Sequence, residues 1–124
     1  MATVDLTAEN FEENVSGSAI TIIDFWAPWC GPCKAFAPTY EEVSENHPDV
    51  MFAKVNTEVE QQLGAQFNIR SIPTLMVIRD NIVIFSQAGA LPKNALEDLV
   101  KQIKEVDMDE VRAAVAKEQA EKKS

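Results

Sequence analysis

"AITIIDFWAPWCGPCKAFAP", residues Ala19 to Pro38, changes character halfway along. From Ala19 to Ala27 it is β-branched and almost wholly apolar, which predicts a strand buried on both faces. From Cys33 onward Phe36, Tyr40 and Val43 return at helical spacing, interrupted by Pro38. The boundary between the two patterns falls on the only 2 cysteines of the chain, Cys30 and Cys33. A buried strand that runs straight into a helix is the unit of a layered α/β fold.

Working outward, "VMFAKVN" (Val50 to Asn56) reads as a second inner strand and "ATVDL" as a short leading one. Between "ATVDL" and Ala19, "TAENFEENV" predicts a helix with Thr7 as its N-cap and Ala8, Phe11 and Val15 on one face. Val59, Leu63 and Phe67 form the stripe of another short helix. "TLMVIR" and "IVIFSQA" flank Asp80-Asn81, a hairpin turn signal. Ala95, Leu96, Leu99, Val100 and Ile103 mark a last amphipathic helix. The order β-α-β-α-β-α-β-β-α predicts an α/β fold, a central mixed sheet with helices on both faces.

Composition narrows the class. A chain of 124 residues holds one domain and one core, and 46% hydrophobic with 25% charged residues is ordinary for a globular protein. The formal net charge is −9. Met1 to Lys104 carries 7 basic and 14 acidic side chains, and Glu105 to Ser124 carries 4 and 6. Neither part is a basic patch, so no nucleic-acid partner is expected. No run is long enough to span a bilayer, and Met1 is followed by no basic, then apolar, leader. The expectation is a cytoplasmic protein, with no membrane partner, working as a monomer.

The cysteine pair then needs a role. A structural zinc site needs four ligands, and beyond the two thiols there is a lone His47 in "NHPDV", which reads as a solvated loop histidine. A structural disulfide would close a tiny loop in a reducing compartment, in a domain large enough to need no staple. Chemistry fits better. Cys30 lies directly after a strand and before a helix, so its sulfur belongs at the helix N-terminus, where unpaired N–H groups and the dipole stabilise a thiolate. Pro32 suits the first turn. Cys33 falls on that turn, on the same side and within reach of intramolecular attack. Pro38 cannot donate to the carbonyl of Lys34 and is expected to bend the helix.

At these residues the sequence resembles the thioredoxin family. "WCGPC" at Trp29 to Cys33 is that family's active-site signature, "DFWAPWCGPCK" carries its buried Asp at Asp24 and its Trp at Trp26, and "FAKVN" its Lys at Lys54. "IRSIPT" supplies the cis-proline element at Pro73 and "AGALPK" the glycine at Gly89. The similarity runs in order from about Val4 to Ile103. It implies the thioredoxin fold over residues 1–104 and a protein-disulfide oxidoreductase with no bound cofactor, only a reversible Cys30–Cys33 disulfide. It further implies recharging by an NADPH-dependent thioredoxin reductase and protein disulfides as substrates. Cys30 would attack the substrate and Cys33 would resolve the mixed disulfide.

Each supporting residue carries two readings. Asp24, inside an apolar strand, would take the proton of Cys33, or it is a satisfied core polar group. Lys54 tunes Asp24, or snorkels from the sheet edge. Pro73 is an ordinary strand-start proline, or a cis bond that leaves Ile72 free to pair with an extended substrate. Trp29, Gly31 and Pro32 within the motif, and Ala88, Gly89 and Ala90, small enough for a substrate backbone to approach closely, complete the expected substrate face. Other reactions on this fold, oxidation or isomerisation, are disfavoured by Gly31-Pro32, the reducing members' pair; a binding or holdase module without turnover is a further alternative.

Four features depart from the family pattern. Asp80-Asn81 stands where Asn-Gly is usual, Ser71 replaces a common glycine, and "NTEVE" lacks an Asp after Asn56. The chain also continues as residues 105–124, rich in Ala, Glu and Lys, with Asp107 and Glu110 spaced as a capping box. The expectation there is a short helical extension that docks weakly or frays, with Met108, Val111 and Val115 as its few apolar positions.

Overall fold

The computed structural model describes residues 2–123. Five strands form one sheet in the order β1-β3-β2-β4-β5: β1 (Thr3–Asp5), β2 (Ile20–Trp26), β3 (Met51–Asn56), β4 (Thr74–Arg79) and β5 (Ile82–Ala88). β1, β3 and β2 run parallel, while β4 pairs antiparallel with both β2 and β5. The helices are α1 (Phe11–Ser16), α2 (Gly31–Glu45), α3 (Gln61–Gln66), α4 (Lys93–Glu105) and α5 (Met108–Lys123). The mixed sheet and the flanking helices are those the periodicity predicts.

Strand alternation sorts the core into two layers. Ile20 and Ile22 of β2, Phe52 of β3 and Leu75 and Val77 of β4 point to one face, against Phe36, Tyr40 and Val43 of α2 and Leu96, Val100 and Ile103 of α4. Ile23, Phe25, Ala53, Val55, Met76 and Ile78 point to the other, against Val15 and Leu63. The Tyr40 hydroxyl ties α2 to the sheet, lying 2.9 Å from the carbonyl of Ile22 and 2.7 Å from that of Ala53. Pro38 sits inside a helix that stays unbroken from Gly31 to Glu45. The hairpin turn uses positive φ at both Asp80 (53°) and Asn81 (65°), the conformation that a two-residue connection between twisted strands requires.

Three local expectations are corrected. Thr7 caps no helix: its amide and hydroxyl exchange hydrogen bonds with Asn10 in a turn, and α1 starts only at Phe11. Ala8 therefore lies outside the helix and exposed. Val59 is 71% exposed because α3 begins after it; Phe67, just beyond the helix, instead packs on Phe11 and Phe25. His47 is not a solvated loop residue. Its Nε2 lies 2.6 Å from Glu97 of α4, Lys104 donates to its Nδ1 at 3.1 Å, and its ring stacks on Phe52. Since the lysine donates, Nδ1 accepts and Nε2 carries the proton towards Glu97.

Beyond α4 the chain turns at Val106 and enters α5. Asp107 caps it, accepting from the amides of Asp109 and Glu110 at 3.0 and 3.3 Å. Among the described residues of α5 only Met108 is buried, and Arg112 pairs with Asp80 at 2.7 Å. The extension is a helix held to the rest of the molecule at Met108 and Arg112.

Candidate active site

β2 delivers the chain to the end of the sheet, and a turn at Pro28-Trp29 returns it into α2. Cys30 is the N-cap of α2, with extended backbone (φ −87°, ψ 110°) and its sulfur accepting from the Cys33 amide at 3.2 Å. A side-chain acceptor is what an N-cap supplies, and here the acceptor is sulfur. Gly31 and Pro32 occupy the first turn, exposed, where the missing N–H of proline is not needed. Cys30 and Cys33 are joined in a disulfide with Cα atoms 5.2 Å apart. Cys30 is 5% and Cys33 2% exposed, while Trp29 beside them is 69% exposed.

The second wall is the segment before β4. The Ile72–Pro73 peptide bond is cis. The carbonyl oxygen of Ile72 lies 3.9 Å from the Cys30 sulfur, and Ile72 packs against the cysteine pair. The Gly89 amide donates to the Pro73 carbonyl at 2.8 Å, and Ala88 pairs with Thr74, so Ala88, Gly89 and Ala90 continue the same wall. Gly89 has φ of 104°, a left-handed conformation strained for any residue with a Cβ, although a Cβ there would meet nothing within 4 Å. The constraint at Gly89 is backbone conformation, and the space above it is open.

Asp24 lies beneath. Alternation along β2 places it on the face of Ile20 and Ile22, the α2 side, as it places Lys54 of β3 on the face of Phe52. The two are register partners. Asp24 is 1% exposed, and neither carboxylate oxygen meets a donor among the described residues. Burial pushes its carboxyl up to about 7 from 3.8, and the nearby Lys54 ammonium pulls it partly back. Lys54 is half-buried with Nζ 4.8 Å from the centre of the Trp26 ring, whose own N–H is buried without an acceptor among the described residues.

All twelve residues singled out in the sequence gather at this end of the sheet: the two cysteines at its centre, Trp29, Gly31 and Pro32 on one rim, Ile72, Pro73 and residues 88–90 on the other, Asp24 and Lys54 below. Sequence reasoning missed the groove beside them. Thr57 donates from both its amide and its hydroxyl to the Trp26 carbonyl, at 2.8 and 3.0 Å, and fastens the α3 connection to the end of β2. Together with Gln61, Ala65 and Arg70 it lines a depression next to Trp29. "IRSIP" held the signal: an arginine two residues before the isoleucine of the cis bond. Among the described residues no cluster of His, Cys, Asp or Glu could hold a metal ion, and no helix is long and apolar enough to cross a membrane.

The chain is similar to known proteins over most of its length. The family model described as thioredoxin matches residues 2–105. The chain is similar to "Putative thioredoxin 2" of Streptomyces coelicolor, 52% identical over 120 residues, 97% of this chain and 90% of that protein. That likeness extends past the family match into the C-terminal helix. A thioredoxin of Haemophilus influenzae is 46% identical over 95 residues, 75% of this chain and 89% of that one. Among solved structures, a thioredoxin of Plasmodium falciparum superposes with a TM-score of 0.75 at 33% identity, covering 80% of this chain and 97% of that one.

Proposed function

This chain belongs to the thioredoxin family, and from that premise we propose that Cys30 is the attacking thiolate and Cys33 the resolving thiol of a protein-disulfide reductase. Family members are protein-disulfide oxidoreductases that work through a reversible active-site disulfide, and the joined Cys30–Cys33 pair is the oxidised end of that cycle. The observation that carries the assignment is the N-cap position of Cys30, whose sulfur takes the Cys33 amide. The same hydrogen bond and the positive helix terminus stabilise the thiolate once the pair is reduced.

In the reaction the Cys30 thiolate attacks one sulfur of the substrate disulfide, and the other sulfur leaves as a thiolate. Cys33 gives up its proton, for which Asp24 is the acceptor, and attacks the Cys30 sulfur. The second substrate thiolate departs. Two electrons have passed to the substrate, and the protein holds its disulfide again. Lys54 tunes the affinity of Asp24 for that proton. Trp29, Gly31, Pro32, Ile72, Pro73 and residues 88–90 form the face along which the substrate chain lies.

The reading extends to the setting. Residues 1–104 are the reductase domain and 105–124 an appended helical extension. The chain works as a cytoplasmic monomer, recharged by an NADPH-dependent thioredoxin reductase. The test couples NADPH oxidation through such a reductase to reduction of a protein disulfide: the wild type turns over, and Cys30→Ser abolishes it. Iodoacetamide should modify Cys30 first in the reduced protein, and Cys33→Ser should accumulate mixed disulfides. Preferential labelling of Cys33 would reverse the two roles.

A further inference from the structure

The stretches that supply the walls of the site, 26–34, 69–74 and 88–93, carry Lys34, Arg70 and Lys93 as their charged side chains, in a chain with a formal net charge of −9. The segment at 57–61 beside the groove adds Glu58 and Glu60, which do not line it. Lys93 is neutralised by Glu42 at 2.6 Å. Among the described residues, Lys34 and the terminal nitrogens of Arg70 meet no carboxylate.

Arg70 is also placed to use its charge. Among the described residues it is the single charged one lining a groove of about 390 Å³ between Trp29 and Ile72 on the active-site side and Gln61 and Ala65 of α3 on the other. Its Nε donates to Asn68 Oδ1 at 3.3 Å. Asn68 itself adopts a positive φ of 56°, which asparagine tolerates and which turns the chain out of the helix towards the cis bond. With Nε held, the two terminal nitrogens remain as a fork that fits one carboxylate, and such a fork is partly pre-organised. Arg70 stands two residues before Ile72, so at most about 7 Å of chain separates it from the segment that borders the reactive sulfur.

We propose that Arg70 selects protein disulfides that carry an aspartate or glutamate two or three residues from the attacked cysteine. This rests on the reductase reading above and names its preferred substrates. A substrate chain laid along Ile72 brings a side chain at that spacing over the groove, where a carboxylate meets the guanidinium and a lysine is repelled. The neutral remainder of the lining, Thr57, Gln61 and Ala65 among it, offers no competing charge.

The test uses the pre-reduced full chain in single turnover against peptide disulfides that differ at one position, Glu or Lys, two or three residues to either side of the cysteine. The readout is the ratio of the two rates for each protein, which cancels changes in thiol reactivity. The wild type should prefer the Glu peptide by about threefold to tenfold at low salt, as exposed ion pairs allow, and the ratio should fall towards one at high salt. Arg70→Lys should keep the sign of the preference, Arg70→Gln should weaken it, and Arg70→Glu should bring the ratio to one or below. A wild-type ratio of one at low salt, or an unchanged ratio in Arg70→Glu, overturns the inference while leaving the reductase reading intact. Failure to reduce either peptide overturns the reductase reading and this inference with it.

Discussion

Burial moves one carboxyl of this protein far above its ordinary range. Asp24 is held at about 7 in the folded chain against an unfolded value near 3.8, so between those limits the native state keeps a proton that the unfolded chain releases. Its contribution to stability is therefore full below about pH 4 and is lost as pH rises through about 7. The shift corresponds to roughly 4 kcal/mol. Asp24→Asn removes the titration with nearly the same shape. It should leave stability at pH 4 little changed and raise it by a few kcal/mol at pH 8, read from urea melts at both values. Reductase-coupled turnover should drop in the same variant if Asp24 takes the Cys33 proton as proposed. Normal turnover would leave Asp24 a structural group only. Lys54→Met tests the opposing influence: without the ammonium, the carboxyl should titrate higher still, followed by carbon NMR of the Asp24 side chain. Asp24 was legible in the sequence because a carboxylate in "IIDFW" has no local partner. His47 was not, because its partners Glu97 and Lys104 lie 50 and 57 residues away and are brought to it only by the packing of α4 against α2.

Between elements, the end of α4 shows how a helix stops without a glycine. Its C-cap, Val106, is extended, and no N–H from a left-handed residue covers the last carbonyls. Arg79, the last residue of β4, does so instead. Its guanidinium donates to the carbonyls of Ile103 at 2.9 Å and Val106 at 3.0 Å, with Lys104 at 3.5 Å. Arg79→Met keeps the aliphatic stem and removes these bonds, so it should cost about 2 kcal/mol in urea melts. A loss below about 0.5 kcal/mol would mean that water replaces the guanidinium without penalty. Long elements such as β2, α2 and α4 were readable because their apolar periods repeat several times. α1 and α3, at 6 residues each, were readable only in kind. There a turn built from Thr7 and Asn10 displaced the helix start, and a β-branched Val59 that looked like part of a stripe was left outside in water.

Across the whole molecule the sheet gives the active site and the extension opposite poles. β2 begins beside Arg79 and ends at Trp26 next to Asn56, and the cysteines follow its end. The extension is anchored where β2 begins, through Arg79 to Val106 and Arg112 to Asp80. Seven strand residues put about 20 Å between the two. The pole with the cysteines was legible because chemistry confines it to particular residue types; the contact that fastens the extension was not, since Arg79 in "VIRDN" looks like any strand-end arginine. Among the described residues, removing 107–124 deletes one buried side chain, Met108, and an exposed ion pair of small worth, Arg112–Asp80. It should lower stability by about 2 kcal/mol, a fall in melting temperature of about 8 °C for a domain of this size. Single-turnover reduction of a peptide disulfide should be unchanged, because the extension is attached at Val106 and Arg112, at the opposite end of β2 from the cysteines. A truncated chain as stable as the full one, but slower with the reductase or a protein substrate, would instead make the extension a second contact surface for that partner.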